Sequence, residues 1–242
     1  MAKVQLTSVF MKWLHQFDLV LLDFDGLLVS SEQLQFEAYR SLCQESGFVL
    51  NWNFERFCEI SHSSATGLKE KIYAEFPALQ EREPSWDILR ERKNQIYFDL
   101  LKAGKLELLS GVAELLKELS RAGKKRCVVT NSTQRQVEQV KSQIPLLSTL
   151  PVWITREQYA DPKPAPDAYL KALELLSDPG DKVIGFEDSL RGVLALQSAS
   201  VSPVLICPKN HPQLKNPQLK GAAHFASFLD IPAEMKFKQF QV

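Results

Sequence analysis

Two aspartates one residue apart, followed by a glycine, close an apolar run: Leu19-Val20-Leu21-Leu22-Asp23-Phe24-Asp25-Gly26. An unbroken apolar run of this length suits a strand covered on both faces, as in a parallel sheet. Gly26 permits a sharp turn or a close approach of backbone to ligand. Two carboxylates at the end of a buried strand are costly unless something cationic sits with them. Three more polar clusters follow: Thr130-Asn131-Ser132, Lys163, and Glu187-Asp188. Each also has a plain structural reading. Asp25-Gly26 makes a simple turn. Thr130 to Ser132 fit a helix N-cap. Lys163 fits a solvated loop. Glu187 and Asp188 fit the first turn of a helix, complementing its dipole.

Taken together and in this order, the clusters make chemical sense for phosphoryl transfer. Four carboxylates converging at one sheet edge repel unless a divalent cation binds them. An all-oxygen donor set (Asp23, Asp25, Glu187, Asp188) without histidine or cysteine points to Mg²⁺. Lys163 can neutralise a phosphate, and the Thr130 hydroxyl with nearby backbone amides can donate hydrogen bonds to it. An aspartate can act as nucleophile through an aspartyl-phosphate. A second acid two residues on can protonate the leaving group and then deprotonate the water.

The elements that must position these groups follow from periodicity. From Leu106 onward strands and helices alternate. Arg126–Thr130, Pro151–Ile154, Lys182–Phe186 and Val204–Ile206 read as strands. Helices are marked by Val112, Leu115, Leu116 and Leu119; by Val137 and Val140; by Tyr169, Leu170, Leu173 and Leu176, with Pro164 and Pro166 in the first turn; and by Leu190 to Ser200. A polar loop runs from Lys209 to Lys220, and a last short element holds Phe225 and Phe228. Alternation of this kind implies an α/β fold, a parallel sheet with right-handed crossovers. Residues 31–105 instead read as helices only: Glu32–Ser46, Trp52–Glu59, Ala65–Phe76 and Trp86–Ala103. The expected organisation is a discontinuous core, residues 1–30 and 106–242, with an inserted all-helical cap at 31–105. In open parallel sheets, ligands bind at the carboxyl ends of the strands, where the polar clusters fall.

The chain has 242 residues, 45% hydrophobic, with formal net charge zero. That is ample for a sizeable core, and it advertises no basic face for nucleic acid. The four cysteines, Cys43, Cys58, Cys127 and Cys207, are scattered and read as buried apolar groups in a reducing compartment. Met1 to Phe17 lacks the apolar core of a signal peptide, and no apolar run approaches a membrane span. A cytoplasmic monomer, away from membranes, acting on a small phosphorylated substrate is expected.

The four clusters resemble, in order, the four motifs of the haloacid dehalogenase superfamily: Asp23-Phe24-Asp25-Gly26, Val129-Thr130-Asn131-Ser132, Lys163-Pro164-Ala165-Pro166-Asp167 and Gly185-Phe186-Glu187-Asp188-Ser189. The helical insert resembles the branch of β-phosphoglucomutase, phosphoglycolate phosphatase and small sugar-phosphate phosphatases. The resemblance implies a Rossmann-like core in which Asp23 is nucleophile and Mg²⁺ ligand. Asp25 would be general acid/base, with its backbone carbonyl on the metal. Thr130, Asn131 and Lys163 would hold the phosphoryl group. Asp188 would be a metal ligand, and Glu187 a ligand or an outer partner. The cap departs from the mutases. Gln35 stands where they have a histidine, and Ser61 and Ser64 stand where they have a glycine and a phosphate-gripping arginine. Lys93-Asn94 does match a cap pair. Gln35, Lys93 and His62 are the candidate cap contacts; Lys93 also fits the polar face of an amphipathic helix, and His62, in the Ser61 to Ser64 loop, an ordinary polar loop position. A phosphatase therefore leads, a phosphohexomutase is second, and a non-catalytic binding protein on the same scaffold is third.

Overall fold

The computed structural model describes residues 9–64, 66–104 and 106–237. At its centre lies β1 (Leu19–Leu22), with β2 (Lys125–Val129) and β3 (Val152–Ile154) on one side. On the other side lie β4 (Val183–Glu187), β5 (Ser202–Ile206) and β6 (Ala223–Phe225). Every pairing is parallel. All four residues of β1 are buried. The strand period of two sends Leu19 and Leu21 into the core on one face and Val20 and Leu22 into the core on the other. This is why the run shows no polar alternation.

Between β1 and β2 the chain forms α1 (Glu32–Glu45), α2 (Phe54–Ser63), α3 (Gly67–Glu75), α4 (Pro77–Arg82), α5 (Trp86–Ala103) and α6 (Val112–Arg121). The first five carry an apolar cluster of their own, including Phe36, Leu42, Phe57, Ile72 and Leu89. Ala38 of α1, with Tyr97 and Leu101 of α5, packs instead into the cluster under the sheet, so the helical segment is seated on the core. That cluster also takes α6 and α7 (Gln134–Gln143). The opposite face is covered by α8 (Asp167–Leu176) and α9 (Leu190–Ser198). The α/β, Rossmann-like class read from the sequence is the observed one.

Register brings the strand ends level. Leu22 pairs with both Val128 and Phe186. The Asp23 amide continues the ladder, donating to the Phe186 carbonyl at 3.0 Å. Asp23 is thereby set beside the ends of β2 and β4.

Boundaries differ from the sequence reading in instructive places. α2 runs on to Ser63, past the expected end at Glu59, so His62 is helical and buried rather than in a loop. β5 begins at Ser202 although Pro203 lacks an amide hydrogen. Pairing with β6 starts only at Val204, so no β6 residue is paired with Pro203. α8 starts at Asp167, after both prolines, with Pro166 at its cap. The 209–220 loop contains two 3₁₀ turns, Pro212–Lys215 and Pro217–Leu219, capped by His211 and Asn216, and it buries Gln213 and Leu219. Ala65, Lys105 and the segment 1–8, on which expected boundaries fell, lie outside the described residues. No helix among the described residues is long and apolar enough to cross a membrane.

Leu22 is wholly buried at the sheet centre. Leu22→Ala is expected to cost about 2–5 kcal/mol of stability, read from the midpoint of urea unfolding.

Candidate active site

The carboxyl edge of β1, β2 and β4 holds a buried cation. Lys163 is 3% exposed. Its ammonium donates to Asp23 Oδ1, to Glu187 Oε1 at 2.6 Å and to the Val129 carbonyl at 2.7 Å. It also lies 4.8 Å from the centre of the Tyr169 ring. Burial works against the ammonium, but Asp23 and Glu187 outweigh it and hold its pKa above the ordinary lysine range. Lys163 is therefore no solvated loop residue. Glu187 is fully buried and accepts from Lys163 and from the Tyr169 hydroxyl. A Cβ on Gly192 would fall 1.8 Å from the Glu187 carboxyl carbon, so only glycine leaves room for that group.

Asp23, Glu187 and Asp188 each present an oxygen, all within 4.8 Å of one another. Burial first, then the charge of Glu187, pushes the Asp23 carboxyl up to about 8, with Lys163 opposing. Asp188 is raised well above the ordinary range by burial, then by Glu32, Asp23 and Glu187. Three acids around one ammonium leave negative charge uncompensated in a site of low polarity. That donor set, all hard oxygen, fits a divalent cation such as Mg²⁺. Gly26, at φ +78°, turns the chain against this cluster; a Cβ there would lie 2.2 Å from Asp188 Oδ2.

Asp25 sits apart from that cluster in a ring of hydroxyl groups. Ser31 and Tyr97 donate to Oδ1, at 2.5 and 3.5 Å. Ser132 and Thr130 donate to Oδ2, at 2.7 and 3.3 Å. Thr130 is 1% exposed and its hydroxyl also accepts from the Ser132 amide at 2.9 Å. The helix-cap role falls to Thr133, which forms a capping box with Gln136. Asn131 Oδ1 accepts from the Tyr159 hydroxyl at 2.7 Å and from the Lys163 amide at 3.4 Å, fastening the β2 loop to the lysine loop. Asp188 is fixed from behind: Gln213 donates to its carbonyl at 2.6 Å and accepts from the Leu190 amide.

The helical segment supplies a second polar layer. Lys93 of α5 is 6% exposed and donates to Gln35 of α1 at 2.9 Å. Its ammonium lies 5.2 and 5.4 Å from the ring centres of Tyr39 and Tyr97. Gln35 with Tyr39, and Lys93 with Tyr97, are spaced four apart, so each pair shares a helix face. Burial lowers the Lys93 ammonium to about 8, against the pull of Asp25. His62 Nε2 pairs with Glu32 Oε1, lies 3.8 Å from Asp188 Oδ2 and stacks on His211 at 5.1 Å.

The structure thus gathers Asp23, Asp25, Thr130, Asn131, Lys163, Glu187 and Asp188 at one edge, with Gln35, Lys93 and His62 beside them. Ser31, Ser132, Tyr97, Tyr169, Gly192 and Gln213 complete the arrangement, and the sequence reading assigned none of them a role. Ser132 lies inside the second motif and Ser31 a few residues past the first, so both were within reach. Gln213 lies in a loop with no local signal.

Residues 20–206 match the family described as haloacid dehalogenase-like hydrolase. The chain belongs to the haloacid dehalogenase-like hydrolases. Protein CbbY of Cereibacter sphaeroides is 31% identical over 189 residues, 75% of this chain and 80% of that one. A phosphorylated carbohydrates phosphatase of Thermotoga maritima is 30% identical over 192 residues, 76% of this chain and 82% of that one. The crystal structure of CbbY from Rhodobacter sphaeroides in complex with phosphate superposes with a TM-score of 0.70 at 25% identity, covering 88% of this chain and 96% of that chain. Within the haloacid dehalogenase-like hydrolases, these relatives agree with the β-phosphoglucomutase and phosphoglycolate phosphatase-like branch.

The raised Asp188 carboxyl sets a stability prediction with a definite sign. Its folded pKa lies above its unfolded one, so protonation favours the fold at low pH, and that contribution is lost as pH rises through the folded pKa. Metal-free Asp188→Asn is expected to melt a few degrees above the parent at pH 8 and to lose any stabilisation by Mg²⁺. Paired melting curves with and without chelator check both.

Proposed function

We propose that this protein is a Mg²⁺-dependent phosphatase of a small phosphorylated metabolite, of the sugar-phosphate class, working through an aspartyl-phosphate. The observation that carries it is the buried Lys163 ammonium on Asp23, with Asp188 alongside and Asp25 held separately by hydroxyls. The relative named phosphorylated carbohydrates phosphatase supports the substrate class.

In this reading an Asp23 carboxylate oxygen bonds to phosphorus as the ester oxygen departs, and Asp25 gives that oxygen its proton. Water then attacks the acyl phosphate, Asp25 takes the water's proton, and inorganic phosphate leaves with Asp23 restored. Lys163 holds the reacting oxygen of Asp23 and screens the anionic phosphoryl group. Thr130 and Ser132 orient Asp25 from the β2 side, and Thr130 with Asn131 would hold the phosphoryl oxygens. Asp23, Asp188 and the Asp25 carbonyl would hold Mg²⁺, with Glu187 anchoring Lys163; the ion would offset charge on the transferring group. Residues 31–105 would act as the cap, closing over the site and excluding bulk water, with Gln35 and Lys93 meeting the rest of the substrate. Gln35 and Ser64 in place of the mutase histidine and arginine favour hydrolysis over isomerisation of a bisphosphate.

Asp23→Asn is expected to abolish Mg²⁺-dependent phosphate release from a panel of sugar phosphates, glycerol phosphate and phosphoglycolate while leaving the melting curve cooperative. Turnover retained in that variant would sink the assignment. Chelation should stop the parent reversibly. Because Lys93 is cationic only below about 8, KM for an anionic substrate should climb as pH rises past that value. In Lys93→Gln the same rise should be absent, measured as KM against pH for both proteins.

A further inference from the structure

A second donor cluster lies beside the carboxylate site, of different chemistry. Glu32, at the start of α1, and Cys58 and His62, one turn apart on α2, place a carboxylate oxygen, a thiol sulfur and an imidazole nitrogen all within 4.8 Å of one another. Cys58 and His62 are each 5% exposed. Their spacing of four puts both on one face of the helix. Metal–donor bonds of about 2.0–2.3 Å fit among donors so spaced. The imidazole is not fully used by the protein: His62 Nδ1 is buried with no hydrogen-bond partner among the described residues. The side toward the core offers further donors. Asp188 Oδ2 lies 3.8 Å from His62 Nε2. The stacked ring of His211 has its own Nε2 buried and unpartnered among the described residues.

We propose that Glu32, Cys58 and His62 form a second metal site, selective for a divalent cation of the zinc class, that ties α1 to α2 within the helical segment, and that Asp188 of the core, whose Oδ2 lies 3.8 Å from His62 Nε2, completes it and so pins the segment against the core. Thiolate and imidazole ligands favour zinc over magnesium, whereas the all-oxygen set of Asp23 and Asp188 does the reverse. The two sites therefore take different ions side by side. On loading, the Cys58 sulfur gives its proton to solvent and bonds to the metal. Glu32 and α2 are then tied together where α2 rests on α9 and on the 3₁₀ turn after His211. A segment fixed there holds the site shut to substrate, so zinc occupancy is inhibitory; that consequence alone rests on the proposed phosphatase reading.

The test uses the full chain, stripped by chelator and held in saturating Mg²⁺, with Co²⁺ as the optical probe. One equivalent of Co²⁺ should give a thiolate-to-cobalt charge-transfer band. Cys58→Ser and His62→Gln should each lose it, with unchanged far-UV circular dichroism, while Cys207→Ser, which removes the thiol beside His224, should keep it. Zinc should displace the cobalt and bleach the band. Zinc affinity in Cys58→Ser should fall by more than the roughly tenfold that loss of even an outer partner costs. In activity assays zinc should inhibit the parent and spare Cys58→Ser. No band, or a band unchanged in Cys58→Ser, overturns the site. A band without zinc inhibition overturns the pinning and leaves the phosphatase reading to its own test.

Discussion

The arrangement depends on one buried ammonium. Lys163 is enclosed by Asp23, Glu187, the Val129 carbonyl and the Tyr169 ring. A lysine in such a place is tolerated only because two carboxylates meet it, and the carboxylates are tolerated only because it meets them. The three oxygen partners come from three different strand ends, and the Tyr169 ring from α8. The ion pair thus couples the ends of β1, β2 and β4 to the loop before α8, and any slip in register would leave a charge stranded. Gly192 belongs to the same constraint, since its missing side chain is the space that Glu187 occupies.

Two aspartates one residue apart acquire different characters from their surroundings. Strand geometry would send residues two apart to the same side, but β1 ends at Leu22, Phe24 between the two aspartates anchors in the core, and the chain turns at Gly26 directly after Asp25. Asp23 faces a cation and other acids, and its carboxyl is pushed up to about 8. Asp25 faces four hydroxyl donors drawn from the residue that precedes α1, from α5 and from the β2 loop. Such donors hold the carboxylate in one orientation. Carboxyl groups in such separate environments can take separate roles.

The helical segment takes part in the site as well as covering it. Tyr97 reaches Asp25, and Lys93 and Gln35 form the polar layer above it, all from the shared face of α1 and α5. On the far side, α2 brings His62 to Glu32 and near Asp188. Movement of these helices would alter both the hydroxyl ring of Asp25 and the donors around Asp188.

By itself the sequence determined the class of the fold and the chemical groups. An apolar run without alternation, repeated with intervening amphipathic helices, is the signature of strands buried on both faces. Asp23, Asp25, Thr130, Lys163, Glu187 and Asp188 stood out because charged and hydroxyl residues at such strand ends are expensive without a ligand. Tertiary structure alone decided the partners. That Lys163 bridges Asp23 and Glu187 follows from strand order, which brings positions 140 and 24 residues away to one ammonium. Ser31, Ser132 and Tyr97 became partners of Asp25, and Gln213 of Asp188, through packing between elements far apart in the chain. His62 read as a loop residue because Ser61 to Ser64 has weak helix propensity. Burial of α2 against α9 carried the helix through it. Local pattern reports which groups are present and what backbone they ride on; only the closed fold fixes which of them meet, because a contact energy belongs to a pair and a sequence shows its members one at a time.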